Sequence, residues 1–248
     1  MGLAPDTLNF DTTDPVRVAT FWADALRFEL VDPDPAGAFI LDPSKRSKGV
    51  FFQPVPEPKV VKNRVHLDLR PPKTMAAEVA RLREAGAREV RSVQQRDFWT
   101  IMRDPEGNEF CVQMGPDEGA ERTEAGLDEV VVDSGDPRRV ADFWIEALGY
   151  REAEATEDSV DIVGTRDGDP RLAFVHVPEP KSVKNRVHLD VRPSGSMAAE
   201  VARVEGLGAT VLGSVQEGDL FWTVMRDPEG NEFCVLRGPE DGWSPDEP

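Results

Sequence analysis

Residues that bind metals strongly are scarce in this chain. Among 248 residues there are three histidines and two cysteines, with a single tyrosine. Two cysteines cannot build a disulfide framework. They stand at matching places in an internal repeat, which favours two separate buried thiols in a reducing compartment, the cytoplasm, over one bridge. Cations are also short: 29 Lys and Arg against 47 Asp and Glu leave a net charge of −18. A field of that sign repels phosphate backbones and anionic headgroups, so neither nucleic acid nor membrane is expected as a partner. Long hydrophobic runs are missing too. No apolar stretch nears the roughly 20 residues that span a bilayer. The opening "MGLAPDTLNFDTTD" has no basic start followed by an apolar core, so no secretory signal is expected.

What is present is a duplication. "VKNRVHLDLRP" at Val61 returns as "VKNRVHLDVRP" at Val183, and His66 and His188 keep the same offset of 122. Phe21-Trp22 and Phe143-Trp144, and "VPEPK" at Val55 and Val177, share it. "RDPEGNEFCV" starts at Arg103 and again at Arg226, an offset of 123, so one residue was gained in the "QEGDLF" stretch. A period of this size is that of a whole domain, not of a solenoid unit. The copies cover 7 to 114 and 128 to 237. Between them "GPDEGAERTEAG" reads as an exposed linker. The tail "GPEDGWSPDEP" reads as disordered, with Trp243 tucked onto the body.

Each copy opens with a short strand, "TLNFDT" or "EVVVDS". Asp14-Pro15 and Asp136-Pro137 then put an N-cap acceptor before a proline at the first helical position. Val18, Phe21, Trp22, Ala25 and Leu26 recur at helical spacing, as do their counterparts from Val140 to Leu148, and Gly149 fits a C-cap. Strands ending in "GVFFQPV" and "RLAFVHV" follow. Then come the "VHLD" strand, a second helix near 73–85 or 195–207, and two closing strands, "FWTIMR" and "NEFCVQM", joined by a "DPEG" turn.

Side chains alternate across a strand. In "RVHLDLR", Val65, Leu67 and Leu69 share one face, and Arg64, His66, Asp68 and Arg70 the other. Glu109, Cys111 and Gln113 likewise oppose Phe110 and Val112, and Asn9 and Asp11 oppose Leu8 and Phe10. A sheet lying flat against water and a sheet curled around a pocket both give this pattern.

Paired strand–helix–strands units, with "PEPKxVKNRVHLD" and "DPEGNEFC" each present twice, resemble the vicinal oxygen chelate superfamily, and within it tandem glyoxalase-like domains of the glyoxalase/bleomycin resistance/dioxygenase type. The resemblance implies an α+β fold. Two glyoxalase-like domains, 1–115 and 128–238, would flank a linker at 116–127 and precede an acidic tail at 239–248. Each would hold two βαβββ modules forming a curved, cup-shaped sheet with helices outside. Aligned on the family's ligand positions, repeat one offers Asn9, Gln53, His66 and Cys111, and repeat two offers Val131, Val175, His188 and Cys234. The extra histidine, His176, is one step out of register.

Neutral amides are weak ligands for a transition ion. No cofactor is therefore favoured, and a divalent metal, if bound, would take His66, Cys111 and Gln53. The resemblance and these residues together imply lyase, isomerase or cyclase chemistry on a small molecule in a pocket of repeat one. His66 would serve as general base or residual metal ligand, with Asp68 and Arg64 as catalytic partners. Asn9, Gln53, Glu109, Cys111, Arg70, Trp99, His188 and Cys234 would line the pockets. The alternative is a metal-free protein that binds and sequesters a small molecule without turnover. Four modules can complete two cups in one chain, so monomer and homodimer are both open.

Overall fold

The structure, a computed structural model, describes residues 2–44, 49–94, 98–122, 124–218 and 220–244. The first copy runs β1 (Leu3–Thr12), α1 (Pro15–Leu26), β2 (Glu29–Asp34), β3 (Gly37–Leu41), β4 (Val50–Pro54), β5 (Val65–Arg70), α2 (Met75–Glu84), β6 (Arg88–Gln94), β7 (Phe98–Arg103) and β8 (Glu109–Gln113). The second runs β9 (Gly126–Ser134), α3 (Pro137–Leu148), β10 (Arg151–Ala155), β11 (Ser159–Val163), β12 (Leu172–His176), β13 (Val187–Pro193), α4 (Met197–Gly206), β14 (Thr210–Glu217), β15 (Leu220–Arg226) and β16 (Glu232–Leu236). Each copy is therefore two βαβββ modules. The strands form two eight-stranded sheets, ordered β14-β15-β16-β13-β1-β4-β3-β2 and β10-β11-β12-β9-β5-β8-β7-β6.

The chain packs as two units, Asn9–Val131 and Val132–Pro248 together with Met1–Leu8. β1 and β9 each begin in one unit and end in the other. No helix among the described residues is long and apolar enough to cross a membrane.

Helix ends follow the sequence closely. Asp14 caps α1 by accepting from the Arg17 backbone, and Asp136 caps α3 in the same way. Gly149 closes α3 in the left-handed region. The aromatic pair of each first helix belongs to the core: Trp22 packs 5.5 Å from Phe10 and 5.2 Å from Phe110, centroid to centroid. The expectation of two closing strands falls one short, because β6 and β14 pair with β7 and β15. Both are edge strands with largely exposed side chains, so no burial pattern marks them in the sequence. Part of the expected linker is built into the body: Glu118 accepts from the backbone of Met75 and Gly115, holding the start of α2. In the tail, Pro239–Asp241 is a 3-10 turn, and Trp243 lies under the Arg192 guanidinium at 4.1 Å; 245–248 fall outside the described residues.

The "DPEGNE" turn explains the most distinctive repeated motif. Asp104 Oδ1 accepts from the backbone of Glu106 and Asn108, and Oδ2 accepts from the Asn108 side chain and from Trp22 Nε1 at 3.1 Å. Asn108 in turn accepts from Asn63 Nδ2 at 2.9 Å, and Glu109 accepts from the Asn63 backbone and pairs with Lys59 at 2.9 Å. Glu106 accepts from the backbone and hydroxyl of Thr13, both at 2.6 Å. Gly107, with φ +94°, completes the turn by donating to the Asp104 carbonyl, a conformation that favours glycine. Repeat two makes the matching ties through Asp227, Asn231, Asn185, Lys181 and Glu232, and there Glu229 accepts from the backbones of Gly135 and Asp136.

Removing one buried partner leaves the others desolvated. Asn108→Ala is expected to cost about 2–3 kcal/mol, and the exposed clip Glu106→Ala under about 1 kcal/mol. Urea unfolding with an unchanged m-value and a lowered midpoint would show this; equal costs for the two variants would contradict it.

Candidate functional site

β5 and β8 run parallel, with Leu67 opposite Phe110 and Asp68 opposite Cys111. Alternation sends Val65, Leu67, Leu69, Phe110 and Val112 into the core and gathers His66, Asp68, Cys111 and Gln113 on the other face. That face is covered: Asp68, Arg70, Glu109 and Cys111 are all buried, and the His66 side chain is 13% exposed. A sheet lying flat against water is thereby excluded for this part of the unit.

His66 Nε2 stands 3.5 Å from Asp68 Oδ1. The ~7 Å between their backbones argues against contact, but strand side chains lean along the strand and close the distance. Gln113 donates to the other carboxylate oxygen of Asp68. Burial, and then the charge of Glu129, push the Asp68 carboxyl up to about 7, against the pull of Gln113 and Cys111. Burial, and then the Asp68 charge, push the Cys111 thiol far up. Cys111 is thus no thiolate nucleophile.

Repeat two builds the same triad with a more deeply buried histidine, while Asp190 is slightly more open than Asp68. His188 Nε2 lies 3.4 Å from Asp190 Oδ1 and 3.6 Å from Cys234 Sγ, and Asp190 is opposite Cys234. Burial, and then the Lys184 charge, lower His188 to about 4, so the ring is neutral near pH 7. Asp190 was not singled out from sequence; its only signal is the shared "HLD" spacing. In each triad one donor atom per residue lies within 4.8 Å of the others.

The triads differ at one neighbour. Gln113 stands opposite Trp99, and Leu236 stands opposite Trp222. Leucine offers no amide to Asp190.

Other expected site residues are distributed differently. Asn9 on β1 and Gln53 on β4 belong to the sheet of β13, whereas His66 and Cys111 belong to the sheet of β5. Asn9 Oδ1 is buried and accepts no hydrogen bond among the described residues. Val131 and Val175, on β9 and β12, are in the sheet of His66. Arg70 is committed to Asp128, at 3.0 Å through Nε, and to the Met114 carbonyl. Glu109 belongs to the turn network: burial raises its pKa, but the Lys59 ammonium and Asn63 backbone outweigh that and hold it low. Arg64, half-buried, precedes β5 by one residue, Trp99 is half-buried, and His176 is exposed at the end of β12.

Around His66, the donors Asp68 and Cys111 come together, Gln53 belongs to the other sheet, and Asp68 is also held by Gln113. Two open grooves run along α2 and β6, past Arg83, Glu84 and Arg88, and beside the β7–β8 turn. Neither is lined by His66.

The pattern of the glyoxalase-like domain family matches residues 7–113 and 129–236. Among solved structures, glyoxalase I from Zea mays superposes with a TM-score of 0.68 at 15% identity, covering 96% of this chain and 93% of that one. A Bacillus subtilis protein with a provisional dioxygenase label gives 0.69 at 16% identity, over 96% and 86%. Likeness at this identity establishes the fold. No protein of curated function matches the sequence.

Between about pH 4 and 7 the folded chain keeps the Asp68 proton that the unfolded chain has released, so Asp68 lowers stability as pH rises through that window. His188 does the opposite, adding stability as pH climbs from about 4 toward the unfolded value near 6.5. Asp68→Asn should therefore gain on the wild type from pH 4 to 7 and then level off. Urea unfolding across pH 4–8 tests this, and a pH-independent gap would refute the Asp68 shift.

Proposed function

Because the chain belongs to the glyoxalase-like domain family, we propose that it acts on a small oxygen-bearing molecule by proton transfer at His66. One observation carries this reading: His66 Nε2 lies 3.5 Å from a carboxyl group raised to about 7. Proton transfer at neutral pH is fastest between groups whose pKa values lie near the working pH.

His66 takes a proton from carbon beside a carbonyl, and the C–H electron pair moves into an enolate. Asp68 steadies the imidazolium. Return of the proton to the adjacent carbon gives an isomer; loss of a β-leaving group gives elimination. Arg64, one residue ahead of β5, steadies the enolate oxygen in this reading, while Arg70 is committed to Asp128. Repeat two supports rather than turns over, since His188 is deeper and far less basic.

The test is deuterium exchange at the α-carbon of hydroxyacetone, dihydroxyacetone and glutathione–methylglyoxal hemithioacetal, followed by proton NMR in D2O. His66→Ala should slow exchange at least ~100-fold, Asp68→Asn should move the pH profile, and His188→Ala should leave both unchanged. Absence of exchange with all three compounds, or exchange indifferent to His66, would overturn the reading. Tight binding without exchange would favour sequestration, with Trp99 beside the ligand.

A further inference from the structure

We infer that the His66 face of repeat one continues into a recognition subsite, Trp99, Ile101 and Arg91, for a substrate whose ring-bearing apolar stem ends in a carboxylate. The inference rests on proton transfer at His66 and names the substrate class of that site.

Register places the subsite. Across neighbouring strands, Asp68 stands opposite Cys111, Cys111 opposite Ile101, and Ile101 opposite Arg91. One row along, Gln113 stands opposite Trp99, and Trp99 opposite Val93. Residues paired in this way share a face of the sheet. Ile101, Trp99, Val93 and Arg91 therefore extend the face that gathers His66, Asp68 and Cys111. The alternate residues of β7, Thr100 and Met102, are buried on the opposite face.

The extension is apolar without being closed. Val93, Trp99 and Ile101 are only half-buried. A contiguous apolar patch beside convergent polar groups marks a ligand surface. An indole in that patch suits a ring.

Charge identifies the far end of the ligand. In a chain with 47 acidic and 29 basic residues, arginines near this face are committed: Arg70 to Asp128, and Arg103 to Glu109 at 3.4 Å. Arg91 is exposed and makes no ion pair or hydrogen bond among the described residues. An open guanidinium beside an apolar floor takes a carboxylate through two parallel hydrogen bonds. Three strand spacings of about 4.8 Å separate Asp68 from Arg91. A ring between two polar ends bridges that span; hydroxyacetone does not. Repeat two keeps the floor as Trp222 and Val224, but Gly213 stands opposite Val224 where repeat one has Arg91.

The experiment compares hydroxyacetone, 2-hydroxyacetophenone and 4-(hydroxyacetyl)benzoate. Exchange of the carbinol hydrogens is followed by proton NMR in D2O, and binding is measured by calorimetry. The benzoate should bind with one equivalent and exchange with a KM at least ~10-fold below that of 2-hydroxyacetophenone. Arg91→Ala should erase that difference, and Trp99→Ala should raise KM for both ring compounds. Arg83→Ala, at the groove along α2, should leave the preference intact. Near-UV circular dichroism checks that each variant folds. Binding of the benzoate that depends on Arg91, without exchange, would uphold the subsite and sink proton transfer. No binding of the benzoate, equal KM values for the two ring compounds, or a preference that survives Arg91→Ala would overturn the subsite.

Discussion

Everything in each repeat hangs on one buried carboxylate. Asp104 closes its own turn, fastens the indole of α1 and orients Asn108, which holds Asn63 just ahead of β5. Burial raises Asp104, while bonds from Asn108, Trp22 and Glu106 oppose that rise. The turn fixes three chain segments at one point: the approach to α1, the helix itself, and the start of the strand that carries His66. A polar cluster of this kind must be fully satisfied, since every group left unpaired in the interior is costly. It therefore specifies one arrangement of helix on sheet, and the aromatic core of Phe10, Trp22 and Phe110 packs to that arrangement.

With the scaffold copied, the two triads differ through their surroundings. The same three residue types occupy the same strand positions, yet His66 reaches the surface and His188 does not. One side chain beside each carboxylate, Gln113 or Leu236, separates them further. An amide keeps Asp68 engaged within a hydrogen-bonded group, whereas the counterpart leucine supplies no such donor. Local dielectric and one donor are enough to give a duplicated constellation two chemical characters.

Much of this was legible in the sequence. The helix caps at Asp14 and Asp136, the alternation in β5 and β8, and the free thiols follow from local rules, and the paired motifs led to the fold. Three things were not legible. Glu109 looks like a pocket residue from its strand parity, but its partner Lys59 lies far away along the chain. The contact between His66 and Asp68 depends on how side chains lean, which backbone spacing does not carry. The strand order, which puts Asn9 and Gln53 in one sheet and His66 in the other, is set by long-range pairing that no local pattern encodes.

The two edge strands of the second modules are not alike. β6 exposes Val90 but flanks it with Arg88, Glu89 and Arg91, charges that discourage another strand from adding to it. β14 ends its sheet with Val211 and Leu212 exposed around Gly213. Its protection is collective: a chain carrying −18 repels its own copies. As the pH falls toward 4.6 that repulsion vanishes, and the bare edge of β14 becomes a template for strand-by-strand aggregation. Colloidal stability in acid thus rests on net charge, where at β6 it is written into the strand itself.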